Sequence, residues 1–474
     1  MDTEFLALFL YDSQAVLLEC GSEAPALFLR EARDPQMKRP FLFAVILGLA
    51  LPAGAQQHVN EKRLWATLEK LSEFGRPAGK GFEGGVTRVG FSDQDLAARE
   101  YVMGLMRDAG LAVRVDPAGN IFARRAGTDA KLPPLLIGSH IDSVPNGGNF
   151  DGQVGSMGAI EVIRALGDHN VRTRHPLEVV IWTIEEGHHF RKGLFGSTAA
   201  AGLLEPEVTQ RTDEHGATLA DWLRRYGQDP AKLPSARIAK GAYAAYLELH
   251  IEQGGILDQR QIQIGVVEGI VGIQWRTCTA RGFANHAGTT RMAGRRDAFL
   301  AAAQAALAVR EEVRREPERQ VGTVGYVKVE PNAGNIIPGN VEFIVELRDL
   351  DASIYERTWM RIEKRFAEIA AAEEVAIHCE LVADERPALT TPALRDIVRE
   401  AARAAGFSTL DLPSGAGHDA QQVSHFAPIG MIFVPSRDGI SHSPREFTPP
   451  ADVARGAEAL YRSLLLLDDR LDKK

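Results

Sequence analysis

An apolar run at Leu135, Leu136 and Ile137 delivers His140 into a glycine-rich loop that carries Asp142 and then Asp151. A buried strand ending at Gly138 presents His140 at its carboxyl end, where α/β sheets gather their active sites. Imidazole and carboxylate groups bind divalent metals, and the two oxygens of Asp151 can bridge a pair of cations. Asp142 is placed to accept the other ring N–H of His140, fixing the tautomer that a metal ligand needs. Three further segments offer similar chemistry. Glu185 and Glu186 follow a β-rich stretch from Val179 to Ile184, and adjacent carboxylates repel unless cations or separate tasks divide them. The stretch ELHIEQG supplies His250, Glu252 and Gln253, and GISHSPREF supplies His442 in a turn-like loop. Singly, each reads more simply as a packed histidine or a solvated glutamate; together they form a ligand set.

The succession GSHIDSVPNGGNFDG, TIEEG, HIEQG, NHAGTT, AGNIIPG, LRDLD, GAGHDA and SHSPRE resembles the M20 metallopeptidase-like amidohydrolases over about residues 60 to 465. The branch it resembles comprises N-carbamoyl-L-amino-acid hydrolases, β-ureidopropionases and allantoate amidohydrolases, the hydantoinase/carbamoylase amidases. HIEQG carries the distinction, because related exopeptidases are expected to have a carboxylate where this chain has His250.

The resemblance implies two divalent ions per subunit, one held by His140, Asp151 and His250 and the other by Asp151, Glu186 and His442. Zinc suits this mixed set, with manganese and cobalt as alternatives. Glu185, left free of metal, is the implied general base, and His286 the implied donor to the oxyanion of a tetrahedral intermediate. Gln253, Asn335, Arg348, Gly415, Gly417 and His418 are the implied substrate-binding residues. Arg348 would hold a substrate carboxylate through two parallel hydrogen bonds, its competing reading being a salt bridge to Asp349 or Asp351.

The implied reaction is hydrolysis of a linear amide or ureido C–N bond, in N-carbamoyl-L-amino acids or related small anionic ureido acids. A dipeptidase or aminoacylase of the same superfamily is the alternative, and a non-catalytic binding protein on the same fold the remote one. Two departures from the pattern stand out: His188 and His189 replace a small residue and an arginine, and Arg291 replaces a proline near His286.

The elements that must position these residues are legible as periodicity. A chain of 474 residues with 45% hydrophobic composition can bury a sizeable core. Apolar strands alternate with amphipathic helices expected at 95–109, 154–166 and 392–405, which predicts an α/β fold with a helix-flanked, mixed and largely parallel sheet. From about Gly269 the rhythm changes to strand, helix (295–316), two strands, helix (353–373) and strand, a ferredoxin-like β-α-β-β-α-β order. The expected organisation is a discontinuous catalytic domain at 61–267 and 382–465, with an inserted lid and dimerisation domain at 268–381. His286, Asn335 and Arg348 fall on the insert, so catalysis requires closure about hinges near 267 and 382. The resemblance implies a homodimer in which the partner can supply this histidine.

Residues 37–55 contain a basic pair, an apolar core and a small-residue exit at Ala53-Gly54-Ala55, the three parts of a secretory signal. Residues 1–36 then represent an overextended start, and the mature chain begins near Gln56 in the periplasm or outside the cell, without stable membrane insertion; it is cytoplasmic if the signal is not used. Cys278 and Cys379 remain after cleavage. They are expected as two unpaired buried thiols on neighbouring strands, a disulfide being the alternative in an oxidising compartment. A formal charge of -9 with no basic stripe argues against nucleic acid as a partner.

Overall fold

The computed structural model describes residues 57–190, 193–316 and 320–471. The expected signal, the extension before it and Cys20 lie outside the described residues. The strands are β1 (Ala112–Val115), β2 (Ile121–Arg125), β3 (Leu135–His140), β4 (Leu177–Trp182), β5 (Ala245–Ile251), β6 (Ile264–Ile270), β7 (Gly272–Arg281) and β8 (Asn285–His286). They continue as β9 (Val321–Glu330), β10 (Ile336–Ile337), β11 (Asn340–Asp349), β12 (Ala376–Glu385), β13 (Ala388–Leu389), β14 (Thr409–Ser414) and β15 (Ile429–Val434).

Nine of them form one sheet in the order β1-β2-β4-β3-β5-β15-β6-β13, with β14 also paired to β6. The central strands β4, β3, β5 and β15 run parallel and are buried along their whole length. Largely apolar runs such as LEVVIW and IGMIFV suit such strands, because helices cover both faces. The sheet is mixed rather than largely parallel. The hairpin β1–β2, and the pairs β2–β4, β15–β6 and β6–β13, are antiparallel. The three expected helices are present at Asp93–Asp108, Gln153–Asp168 and Pro392–Ala404. The second of these is buried over most of its length against β3 and β5, next to the loop that carries Asp151.

The chain leaves this sheet after β6, builds a four-stranded antiparallel sheet in the order β12-β7-β11-β9, and returns at β13. Two helices, Ala298–Val313 and Ala352–Ala372, complete a β-α-β-β-α-β unit with its own core around Phe343, Val345, Tyr355 and Phe366. The first is shorter than the expected 295–316, because the Asp297 side chain accepts from Phe299 N and Leu300 N and fixes the start. One expectation is overturned outright: Cys278 and Cys379 are joined by a disulfide. They are directly opposed on the antiparallel pair β7–β12, which brings their side chains to the same face within bonding reach. No helix of the described residues is long and apolar enough to cross a membrane.

Candidate metal centre

The carboxyl ends of the parallel strands converge on Asp151. His140 ends β3, His250 lies near the end of β5, and Glu185 and Glu186 follow β4. The His140 Nε2 and His250 Nε2 atoms lie 3.7 and 3.2 Å from Asp151 Oδ1. On the other side of the same carboxylate, His442 Nε2 lies 3.3 Å from Oδ2 and 3.5 Å from Glu186 Oε2. His140, Asp151 and His250 therefore make one group able to hold a metal, and Asp151, Glu186 and His442 a second, with Asp151 shared.

Tautomers test whether a metal fits. His140 Nδ1 contacts the backbone carbonyl of Asp142 at 3.1 Å, and His250 Nδ1 that of Ile251 at 2.9 Å. A carbonyl oxygen only accepts, so each Nδ1 carries the proton and, in the neutral ring, each Nε2 turns a lone pair towards a carboxylate oxygen. Something positive must sit between them. His250 Nε2 and Glu186 Oε1 are both buried without a hydrogen-bond partner. Ligands of one tetrahedral zinc at about 2 Å lie about 3.3 Å from one another, which is the spacing seen around Asp151. The residues fit divalent cations.

Backbone geometry makes the cluster compact. Gly152 has φ of 78°, and a Cβ there would lie 2.3 Å from the His140 ring, so only glycine lets the Asp151 loop approach. Gln253 and His442 themselves sit at positive φ, as does Ile184 immediately before Glu185; a β-branched residue there is strained, as occurs at functional sites. The Asp142 carboxylate does not make the expected bond to His140, which lies 3.6 Å away. Its two oxygens instead accept the backbone N–H groups of Glu185 and Glu186, each at 3.2 Å, while its own backbone carbonyl takes the His140 contact.

The electrostatics are those of a site built for added positive charge. Burial, reinforced by Glu186, pushes the Glu185 carboxyl well up, and burial with Asp151 does the same to Glu186. Burial acts in that direction on Asp151 too, but the neighbouring His250 and His442 rings hold it well below the usual carboxylate range. Glu446, buried beside Asp151, is pushed up to about 7. Glu185 Oε2 faces His140 Nε2 at 3.8 Å and belongs to neither ligand group.

The residues expected to bind substrate divide into two sets. Gln253 Nε2 donates to Asp151 Oδ2 at 2.6 Å, and His418, buried edge-on against His250, meets Ser414 Oγ at 2.8 Å. Burial, and then His250, holds the His418 ring well below its usual range and keeps it neutral. Gly415 accepts from Arg348 Nη1 at 2.7 Å, and Gly417 lies in the turn between β14 and the Asp419–Val423 helix. His286 and Asn335 meet on the β8–β10 ribbon, where Ala287 N donates to Asn335 O, and both are exposed. Among the described residues no hydrogen bond or ion pair joins either to the Asp151 cluster. Of the residues that depart from the motifs, His188 is exposed, His189 pairs with Glu214 and stacks on Trp222, and Arg291 is exposed at the start of the Met292–Gly294 turn.

Sequence reasoning missed three participants. Ser441 and Glu446 flank His442 in the same motif and contact Asp151, and Glu346 engages Arg348. An acidic residue four positions after a candidate ligand, inside the same turn-forming motif, was the available signal for Glu446.

A helix-flanked mixed sheet carrying two histidine and carboxylate clusters that share one aspartate, each able to hold a metal, is the arrangement of a hydrolase able to use divalent ions. The chain belongs to the peptidase family M20/M25/M40, whose profile matches residues 136–466. It is similar to the N-carbamoyl-L-amino acid amidohydrolase of Geobacillus stearothermophilus, 42% identical over 86% of this chain and 98% of that protein. It is also similar to the allantoate amidohydrolase of Escherichia coli, 36% identical over 85% and 96%. Among solved structures, a hydantoinase/carbamoylase family amidase from Burkholderia multivorans superposes with a TM-score of 0.80 at 38% identity, covering 86% and 98%.

Proposed function

We propose that the chain is a hydrolase of linear amide and ureido C–N bonds, using two divalent ions, whose substrates are N-carbamoyl-L-amino acids or closely related ureido acids. One observation carries this reading: the Asp151 carboxylate presents one oxygen to each of two ligand groups, beside a buried Glu185 that belongs to neither. His140, Asp151 and His250 would hold one ion, and Asp151, Glu186 and His442 the other. Bound there, the ions would polarise the scissile carbonyl and lower the pKa of the attacking water.

The protein's own residues do the rest. Glu185 takes a proton at its carboxylate, which burial makes a stronger base than a surface glutamate, and returns it to the leaving nitrogen. Asp142 holds that carboxylate in place through the backbone of both glutamates. His286 serves the oxyanion, a role worth about 3 kcal/mol of barrier. It must be brought to the cluster by movement of the inserted unit, expected over 268–381, or come from a second copy. The exposed Val321, Tyr326, Val327, Leu381 and Val382 on the edge strands β9 and β12 favour a homodimer through this unit. Asn335 and Arg348 would recognise the substrate. Export through the signal at 37–55 is supported by the disulfide, which persists in oxidising compartments.

The test is a substrate panel with zinc- or manganese-reconstituted protein starting at Gln56. Ammonia release from N-carbamoyl-L-amino acids is expected, and Glu185→Gln should retain bound metal while losing about 100-fold or more in kcat. Turnover confined to dipeptides or N-acyl amino acids would replace this reading with that of a dipeptidase or aminoacylase.

A further inference from the structure

Glu446 is buried, yet it lies outside both ligand groups. Its Oε1 accepts from Phe150 N at 2.8 Å and from Asp151 N at 3.1 Å. Its Oε2 lies 2.8 Å from Ser441 Oγ, which also lies 2.9 Å from Asp151 Oδ2. The carboxylate fills the crook of the glycine loop so closely that a Cβ on Gly148 would stand 2.1 Å from Oε1. One acidic side chain thus pins the loop carrying His442 to the backbone that carries Asp151. His442 needs such a tie, since its side chain is half exposed and its backbone stands in the left-handed region at φ 52°.

Counting protons sharpens the point. Ser441 has a single hydroxyl proton and two carboxylate oxygens within hydrogen-bond distance, so only one of these contacts can draw its proton from the serine.

We infer that Glu446 is a positioning residue for the Asp151–Glu186–His442 cation site, acting through Ser441 and through the backbone N–H groups of Phe150 and Asp151. It does not touch the ion; it sets the separation between His442 and Asp151. This role rests on the two-cation reading, and the experiment separates the two. Zinc is titrated alone into the metal-free full-length protein, and the two dissociation constants are read by competition with a chromophoric chelator.

Wild type should bind two ions. Glu446→Ala should weaken one of them by about 10- to 100-fold, the range for loss of a group that orients a ligand, and leave the other within about threefold. Glu446→Gln should bind both nearly as wild type does. Its amide oxygen can accept from Phe150 N and Asp151 N, and its NH2 can donate to Ser441 Oγ, freeing the hydroxyl proton for Asp151. Glu446→Asp, one methylene too short to span the loops, should resemble the alanine variant. Should Glu446→Ala fail to fold, Ser441→Ala, which removes only the hydroxyl, carries the same expectation of selective weakening. Equal affinities in wild type and Glu446→Ala, equal loss of both ions, or a glutamine variant as impaired as alanine would each overturn the role. A wild-type protein that binds a single ion would remove the two-cation reading and this role with it.

Discussion

Glu346 occupies the Nε–Nη2 edge of Arg348, with contacts of 2.8 and 3.1 Å, and Trp275 Nε1 donates to the same carboxylate. Neither Asp349 nor Asp351 makes the salt bridge that the sequence suggested as the ordinary reading of Arg348. The remaining guanidinium nitrogen, Nη1, donates to Gly415 O across the two sheets. Glu346 and Gly415 engage three of the five N–H groups of the guanidinium, so a substrate carboxylate must share the fork with them or displace one. The Glu346 carboxylate also offsets the positive charge of the arginine, and in that sense competes with the substrate for it. Glu346→Gln should lower KM for a carboxylated substrate about fivefold with little change in kcat, a difference of about 1 kcal/mol in binding that ground and transition states share. Arg348→Lys should raise KM. Steady-state kinetics on a substrate and on its carboxamide analogue would decide the matter, and an unchanged KM in Glu346→Gln would refute the competition.

The disulfide closes the inserted unit on itself by joining its first and last strands, with a sequence separation of 101. Loop-closure entropy for a loop of that length amounts to about 5 kcal/mol, restricting the unfolded chain more than the folded one. Cys278→Ala/Cys379→Ala protein should consequently unfold at lower temperature, and wild type should lose the same increment in reductant. Turnover at low temperature should persist in both, because neither cysteine approaches the Asp151 cluster. Thiol titration of the denatured mature protein should find no free thiol.

Most of the scaffold was readable because it depends on periodicity. Buried central strands announce themselves as largely apolar runs, and strand β11, NVEFIVELRD, alternates buried and half-buried residues as an imperfect period of two suggests. The metal cluster was readable because its residue types are costly to bury for any other purpose. What escaped was set by geometry that spacing does not encode. The direction of the Asp142 carboxylate depends on a turn at Ile184 in the left-handed region, and the pairing of Cys278 with Cys379 depends on strand register. Edge pairing made the sheet mixed, through the β1–β2 hairpin against β4 at one end and through β6, where the chain leaves for the insert, and β13, where it returns, at the other. Glu446 and Glu346 escaped because glutamate is usually a surface residue, and only burial or a specific partner singles one out.

The same buried carboxylates give metal removal a characteristic pH dependence. Burial and like charge raise Glu185 and Glu186 above their unfolded values in the metal-free protein. A carboxyl raised on folding contributes stability below its unfolded pKa and loses it as pH climbs through the folded one, because ionising it costs more inside than outside. Chelator-treated protein should therefore lose thermal stability as pH rises above the ordinary carboxylate range, from about pH 4.5 through neutrality. Asp151 works in the opposite sense, since it is lowered on folding, and its contribution disappears only in acid, well below that window. Divalent ions would neutralise the glutamates and add the free energy of binding to the folded state alone, so the gain in melting temperature on adding manganese should be largest near pH 8. Glu185→Gln should flatten the metal-free profile while leaving a manganese-dependent gain, because Glu185 is in neither ligand group. Melting curves in chelator and in excess manganese across that range provide the measurement. A gain that is the same at both ends would mean that the glutamates are already paired without metal, which the unpartnered Glu186 Oε1 argues against.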